Sequence, residues 1–171
     1  MIVHVVKAAI SDLTVTAIVN PTNSLGIMDH GLARQLREQG GQEIEDEARA
    51  LAPIAVGAAV VTGGHRLWAK HVIHTPTLEE PASRGPFKIG VENVRRAARA
   101  ALLAASRLQL DVLAVPAIGI GPGGVEPNEA ARAIVDEIRA HRQPFPQTIY
   151  LADPKEEMLW AFEEALRASN G

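Results

Sequence analysis

Two loops of this chain carry residue types that bind anions. The first, residues 20–31, follows a β-branched run that predicts a strand over 16–19, and a helix is predicted to begin at or just after Gly31. The free N–H groups of a helix N-terminus attract phosphate, and glycine lets a ligand approach the backbone. Asn20 and Asn23 add amides that donate and accept hydrogen bonds. Both are candidate ligand-binding residues; we expect ligand contact from Asn23 and favour a loop-fixing role for Asn20.

The second loop, residues 116–125, contains four glycines within six residues. It lies between a continuous apolar run at 112–115 and a predicted helix, and glycine-rich backbone in that setting suits a cradle for anionic oxygens. No Lys-Ser or Lys-Thr pair follows, so the loop is not a Walker motif, and it is not the dinucleotide fingerprint of a first strand-to-helix turn. The candidate anion-binding residues of the two loops are Gly31, Leu32, Gly119, Ile120, Gly121, Gly123, Gly124 and Val125.

Alternating strand-like and helix-like segments position these loops. Strands are predicted over 2–6, 16–19, 58–62, 71–75, 112–115 and 148–151. Helices are predicted over 31–52 with a break at Gly40-Gly41, over 88–108, from Glu126-Pro127 onward, and around Met158 to Leu166, with a loop over 76–86. Strands separated by helices predict an α/β fold with a mostly parallel sheet, in which ligands bind beyond the carboxyl ends of the strands.

Composition narrows the classes of function. The chain is 47% hydrophobic and 22% charged, which is typical of a folded protein, and its net charge of -3 disfavours nucleic-acid binding through bulk charge. A local basic groove stays open as a route to nucleic acid, a partner that the composition otherwise disfavours. The absence of cysteine excludes disulfides, thiolate catalysis and zinc–sulfur sites.

The histidines and the apolar segments give further expectations. His71 and His74 lie three apart on a predicted strand, so they face opposite sides and make a poor metal pair; we expect His74 to be a core or hydrogen-bonded residue. No metal site and no cofactor are predicted. No segment approaches the ~20 apolar residues of a membrane span, and the strand that follows Met1 has no basic leader. We therefore expect no membrane partner and a cytoplasmic location.

The order of these motifs resembles that of the macro domain family. Residues 15–23 (VTAIVNPTN) are similar to its V-D-A-I-V-N-A-A-N stretch, and Gly31 matches the last glycine of the run that follows. Residues 57–63 and 70–74 are similar to its G-x-A-x-x-T-x-G and K-x-x-I-H segments, and residues 115–124 resemble its F-P-A-I-S-x-G-I-x-G loop. These matches fall in order and cover nearly the whole chain.

The resemblance implies a three-layer α/β/α sandwich with a mixed, mostly parallel sheet of about six strands, as a single domain over residues 1–171. It also implies that the protein binds ADP-ribose or a related nucleotide, free or attached to protein. The first loop would contact the distal ribose and the diphosphate, and the second would wrap the diphosphate. Asn23, Gly31, Gly121 and Gly124 match ligand-contact positions of the family.

Three positions depart from the family pattern at the two ends of the implied ligand. Ala9 stands where members commonly carry an aspartate that hydrogen-bonds adenine, and Ala152 is nearest to an aromatic that often stacks on adenine. Together with Ile10, these residues are the candidates for an adenine pocket. Gly123 replaces the aromatic residue of the second loop that packs on the distal ribose.

A fourth departure concerns catalysis. In hydrolytic members of the family a catalytic aspartate stands at the position of Ala33, whereas this chain has Asp29 and His30 just before Gly31, where the family usually has glycines. Histidine is well suited to proton transfer near neutral pH. One hypothesis is that Asp29 and His30 form a relocated acid/base pair, and the alternative is that they are loop residues of a divergent member.

Three functions follow from these observations. The leading one is a binding module for ADP-ribose or a related ADP-ribosyl metabolite or adduct. The alternative is a hydrolase that removes acyl or ADP-ribosyl groups, of the O-acetyl-ADP-ribose deacetylase or ADP-ribosyl hydrolase type. The third is an RNA-binding or scaffolding macro domain that binds no small ligand, which the missing aromatics favour and the negative charge disfavours.

Overall fold

The computed structural model describes residues 1–168. Six strands form one sheet: β1 (Ile2–Lys7), β2 (Ala17–Asn23), β3 (Val60–Gly63), β4 (His71–Leu78), β5 (Val112–Val115) and β6 (Thr148–Asp153). The described residues also form five α-helices: α1 (Gly31–Gly40), α2 (Gln42–Ala50), α3 (Val91–Arg107), α4 (Pro127–Ala140) and α5 (Glu156–Ala168). Two 3₁₀ turns lie at Ile10–Asp12 and Ala82–Arg84.

The strand order in the sheet is β1-β6-β5-β2-β4-β3. Neighbouring strands are parallel, except that β3 runs antiparallel to β4. The parallel pairs are connected through helices, as a βαβ crossover requires. The predicted mixed, mostly parallel sheet of about six strands is therefore confirmed.

Helices cover both faces of the sheet. One hydrophobic cluster joins the sheet to α3, α4 and α5, with Ala101 and Phe162 among its buried members. A second cluster joins the opposite face to α1 and α2 and includes Leu36 and Ile44. The fold is thus a three-layer α/β/α sandwich, as expected. None of the helices within residues 1–168 is long and apolar enough to cross a membrane.

The two strands that lead to the site are longer than predicted. β2 continues to Asn23 because it pairs with β4 from Ala17↔His71 as far as Asn23↔Leu78. Residues 20–23 are therefore strand, and not the start of the first loop. By the same pairing β4 ends at Leu78, so the loop predicted from residue 76 begins later.

Candidate functional site

A cavity of about 480 Å³ lies at the carboxyl ends of the strands. It receives residues from both glycine-containing loops and from the ends of β1, β4 and β6. Most of the residues singled out in the sequence line it: Ala9, Ile10, Asn23, Asp29, His30, Gly31, Leu32, Gly119, Ile120, Gly121 and Ala152. Asn20, Gly123, Gly124 and Val125 do not line it.

Asn20 is the most deeply buried of these four residues that lie outside the lining. The residue is fully buried, and its Nδ2 lies 3.1 Å from Nδ1 of His74 on the neighbouring strand. Because β2 extends through this position, the Asn20 side chain faces the interior and not the cavity. Its burial supports the fixing role favoured for Asn20, within a strand instead of a loop, and its contact with a ligand stays a prediction.

His74 is buried and hydrogen-bonded, as expected. Its Nε2 lies 2.9 Å from Oγ1 of Thr62, and that hydroxyl donates to the backbone oxygen of Gly63 at 3.1 Å. Burial lowers the pKa of His74 to about 4, against an opposing effect of the Glu47 carboxylate. The residue is neutral at physiological pH and takes part in the internal structure of the sheet.

Asn23 organises the loop that follows β2. Its Oδ1 accepts hydrogen bonds from the backbone N–H groups of Leu25 (3.1 Å) and Ile27 (3.2 Å), and its Nδ2 donates to the carbonyl of Ile27 (2.8 Å). An asparagine that bonds its own backbone two residues on is a standard turn-forming arrangement. Asn23 lines the cavity, and its expected contact with a ligand stays a prediction.

A buried glutamate from α2 fixes the other end of the same loop. Oε2 of Glu45 accepts a hydrogen bond from the backbone N–H of Met28, and Oε1 accepts one from Gln42 Nε2 at 2.6 Å. Glu45 is 5% exposed, and an Arg37 guanidinium nitrogen lies 3.7 Å from its Oε2. The loop is thus fixed on both sides before it reaches Gly31, the first residue of α1.

The second loop forms a compact turn beside the cavity. Val125 donates from its backbone N–H to the carbonyl of Gly119 at 2.8 Å, and Gly124 donates to Gly121 at 2.9 Å. Gly121 has a φ of 104°, and a Cβ placed on it would meet no atom within 4 Å. Gly121 lines the cavity and its backbone is not covered by other atoms, as an anion-binding loop requires.

The rest of this loop is covered by residues 87–89. The N–H of Ile89 donates to the carbonyl of Gly123 at 2.8 Å, and a Cβ on Gly123 would collide with the carbonyl oxygen of Phe87. A Cβ on Gly124 would likewise collide with the carbonyl oxygen of Gly119. These contacts explain why Gly123, Gly124 and Val125 lie outside the cavity lining, and their expected contact with a ligand stays a prediction.

Asp29 and His30 lie at the rim of the cavity, and both are exposed. The Asp29 carboxylate accepts a hydrogen bond from Oγ of Ser83 at 2.8 Å, across 54 residues of sequence. No hydrogen bond joins Asp29 to His30 in the described part of the chain. The structure therefore brings both residues to the cavity without pairing them.

Several lining residues were missed in the sequence. Asp153 at the end of β6 lines the cavity, and its Oδ1 accepts the backbone N–H of Lys155 at 2.8 Å. Asp153 directly follows the adenine-pocket candidate Ala152 in the sequence, and this position could have marked it as a lining residue. Phe87 and Thr77 also line the cavity, but no periodicity or motif marks them. Within residues 1–168, the lining includes two carboxylates, of Asp29 and Asp153, and no lysine or arginine.

Comparison with known proteins decides the family. A family model described as Macro domain matches residues 19–134, which run from within β2 into α4 and include both loops. The chain belongs to the macro domain family. Two relatives described as uncharacterized proteins cover nearly all of this macro domain. One from Aquifex aeolicus is 44% identical over 97% of this chain and 98% of its own, and one from Aeropyrum pernix is 40% identical over 98% of this chain and 88% of its own.

Solved structures share the fold of this macro domain at low sequence identity. The Oceanobacillus iheyensis macrodomain with ADP matches with a TM-score of 0.83 at 20% identity, over 97% of this chain and 90% of that one. The Trypanosoma brucei macrodomain in complex with ADP-ribose matches with a TM-score of 0.82 at 20% identity, over 96% of this chain and 68% of that one. At this identity the likeness shows a common fold.

Proposed function

We propose that this macro domain binds ADP-ribose, or an ADP-ribosyl group attached to a metabolite or protein, in the cavity at the carboxyl ends of its strands. One observation carries the proposal: the N-terminus of α1 at Gly31 and the second loop at Gly121 open onto the same cavity. With no lysine or arginine among the described lining residues, an anion there would be bound by backbone N–H groups and the helix dipole. Two such loops together suit a diphosphate.

The extent of the cavity supports a ligand with groups on both sides of the diphosphate. Its lining runs from the end of β1 across β6, β5 and β2 to the end of β4, which is four inter-strand steps of about 4.8 Å, or roughly 19 Å. Gly31 and residues 119–121 belong to the middle of this path. The adenine would occupy the end near Ala9 and Ala152, and the distal ribose the end near Asn23.

The same observations bear on the partners and on the domain. A cavity lined by two carboxylates and, among the described residues, no lysine or arginine is a poor surface for RNA, because phosphate contacts of RNA-binding proteins rely on those two side chains. We further propose that residues 1–171 form one domain, since β1 and β6 from the two ends of the chain pair with each other. Residues 169–171 lie outside the described part.

A calorimetric titration with ADP-ribose tests the proposal, and Gly121→Glu is the informative variant. Gly121 lines the cavity and a Cβ on it would meet no atom within 4 Å, so a glutamate there would bring a carboxylate beside the proposed diphosphate position, and we expect the affinity to fall at least a hundredfold. Gly57→Glu is the matched control. Gly57 is an exposed glycine with φ 97°, its Cβ would have contacts no closer than 3.8 Å, and it does not line the cavity.

Both substitutions place glutamate at a positive φ, so both variants carry the same kind of backbone strain. A loss of affinity in Gly121→Glu alone is therefore caused by the new side chain at the cavity. Saturable binding by the wild type and by Gly57→Glu, lost in Gly121→Glu, would support the assignment. If the wild type gives no binding heat up to millimolar ADP-ribose, the proposed ligand is wrong. Equal affinities in all three proteins would place any binding elsewhere.

Hydrolysis of an ADP-ribosyl or acyl bond is the second candidate function. It is favoured by one observation, that Asp29 and His30 both line the cavity next to the N-terminus of α1. In this proposal His30 is the proton-transfer group, and Asp29 assists it or the attacking water. Replacing both with alanine would abolish release of the product from O-acetyl-ADP-ribose or an ADP-ribosylated protein. Unchanged release by the double variant would remove these residues from any catalytic role.

A further inference from the structure

Phe87 is an aromatic side chain at the cavity that the sequence did not mark. Among the described residues that line the cavity, it alone carries a benzene ring. The side chain is half-buried and packs in part against the hydrophobic cluster of α3, α4 and α5. The ring is therefore held by the core on one side and is available to the cavity on another.

The main chain around Phe87 is fixed to the second loop. The hydrogen bond from Ile89 to the carbonyl of Gly123 ties residues 87–89 to that loop, and Ile89 also lies 3.2 Å from a Cβ placed on Gly119. A Cβ on Gly123 would collide with the Phe87 carbonyl oxygen and lie 3.4 Å from Cε2 of the Phe87 ring. The ring thus occupies the space into which a side chain at position 123 would extend.

The position of Phe87 along the cavity indicates which part of a ligand it would meet. Residues 87–89 belong to the segment between β4 and α3 and pack on the second loop at Gly119 and Gly123, whereas Ala9 and Ala152 lie at the ends of β1 and β6. A ligand with its diphosphate at Gly31 and Gly121 and its base near Ala9 would place its terminal sugar toward β2 and β4. An aromatic ring presents a flat apolar face to the C–H groups of a sugar.

We propose that Phe87 is a ligand-binding residue that forms the wall for the terminal ribose, and that it distinguishes nucleoside diphosphate sugars from plain nucleoside diphosphates. The ring comes from the segment after β4 and replaces a side chain that Gly123 cannot carry. This assignment rests on the proposed function, since it requires the diphosphate to bind at the two loops.

Calorimetric titration of Phe87 variants with ADP-ribose and with ADP tests the assignment. Phe87→Ala should weaken ADP-ribose binding about tenfold and leave ADP binding unchanged within about twofold, because ADP lacks the terminal ribose. Phe87→Leu keeps an apolar side chain for the core contacts and should show the same selective loss if alanine destabilises the fold. Phe87→Tyr keeps the ring and should bind both ligands like the wild type.

Trp160→Ala is the control, because Trp160 is an aromatic residue with 63% exposure that does not line the cavity. Equal losses of ADP-ribose and ADP affinity in Phe87→Leu would overturn the assignment and leave Phe87 with a role in loop structure only. Unchanged affinities in Phe87→Leu and Phe87→Ala would also overturn it. A wild type that binds neither ligand would instead refute the proposed function, and the assignment of Phe87 with it.

Discussion

His74 shows how a single residue in the interior of the sheet supports the site from a distance. Asn20 donates to Nδ1, Nε2–H donates to Thr62, and Thr62 donates to Gly63, so each ring nitrogen has a partner only when the imidazole is neutral. Protonation would add a proton at Nδ1, and that N–H would face the N–H donor of Asn20. The chain of bonds joins β2, β4 and β3 just before β2 reaches the cavity.

This arrangement predicts a pH-dependent stability. The pKa of His74 is about 4 in the folded protein and near its ordinary 6.5 when unfolded, so the unfolded chain takes up the proton first as the pH falls. The free energy of unfolding that neutral His74 contributes is fully present above pH 6.5 and decreases between pH 6.5 and 4. The loss over that window is about 3 kcal/mol. Urea unfolding at pH 7 and pH 5, which covers the upper part of that window, should show a difference of about 2 kcal/mol.

The matched comparison uses His74→Gln and His4→Gln, the second at an exposed position. His74→Gln should be less stable than the wild type at pH 7 but should lose less stability between pH 7 and pH 5. His4→Gln should follow the wild type. If His74→Gln retains the full pH dependence, another group causes it.

At the scale of elements, α2 determines the shape of the first loop. Met28 is fully buried, and its backbone N–H has the Glu45 carboxylate as its partner. Replacing Glu45 with alanine would leave that N–H buried without an acceptor, a change that costs about 2 kcal/mol. We expect Glu45→Ala to lower the free energy of unfolding by about that amount and to weaken ADP-ribose binding, because Gly31 follows this loop directly.

Urea unfolding and calorimetric titration of the same samples test this role of α2. Glu45→Gln keeps an acceptor oxygen and should retain more stability and affinity than Glu45→Ala. Glu43→Ala, at an exposed position on the same helix, should change neither quantity. If Glu45→Ala binds ADP-ribose with the affinity of the wild type, the loop keeps its shape without the Glu45 carboxylate.

The elements also show what the sequence could predict. β-branched runs and helical periodicity predicted all six strands and both faces of helices, because local patterns reflect burial. The pattern failed at residues 20–23, where Asn, Pro and Thr are typical of a turn, since pairing with β4 extends the strand beyond its apolar part. Phe87 was not predicted because its position depends on the hydrogen bond between Ile89 and Gly123, which no local pattern encodes.

At the scale of the whole molecule, the site is a consequence of strand order. β5 pairs with β2 only at Ala17↔Leu113 and Ile18↔Ala114, so the rest of β2 has a strand neighbour on the β4 side alone. β5 ends at Val115 whereas β2 continues to Asn23, and the loops that follow both strands line the cavity. Binding sites of open α/β sheets lie in such crevices.

The most direct test of the central claim is a map of backbone amide chemical shifts during titration with ADP-ribose. We predict the largest changes at the N–H groups of Gly31, Leu32, Gly119, Ile120 and Gly121, which would donate to the diphosphate, with smaller changes near Ala9 and Phe87 at the two ends of the cavity. Changes confined to other surfaces, or no changes at saturating ligand, would contradict the account.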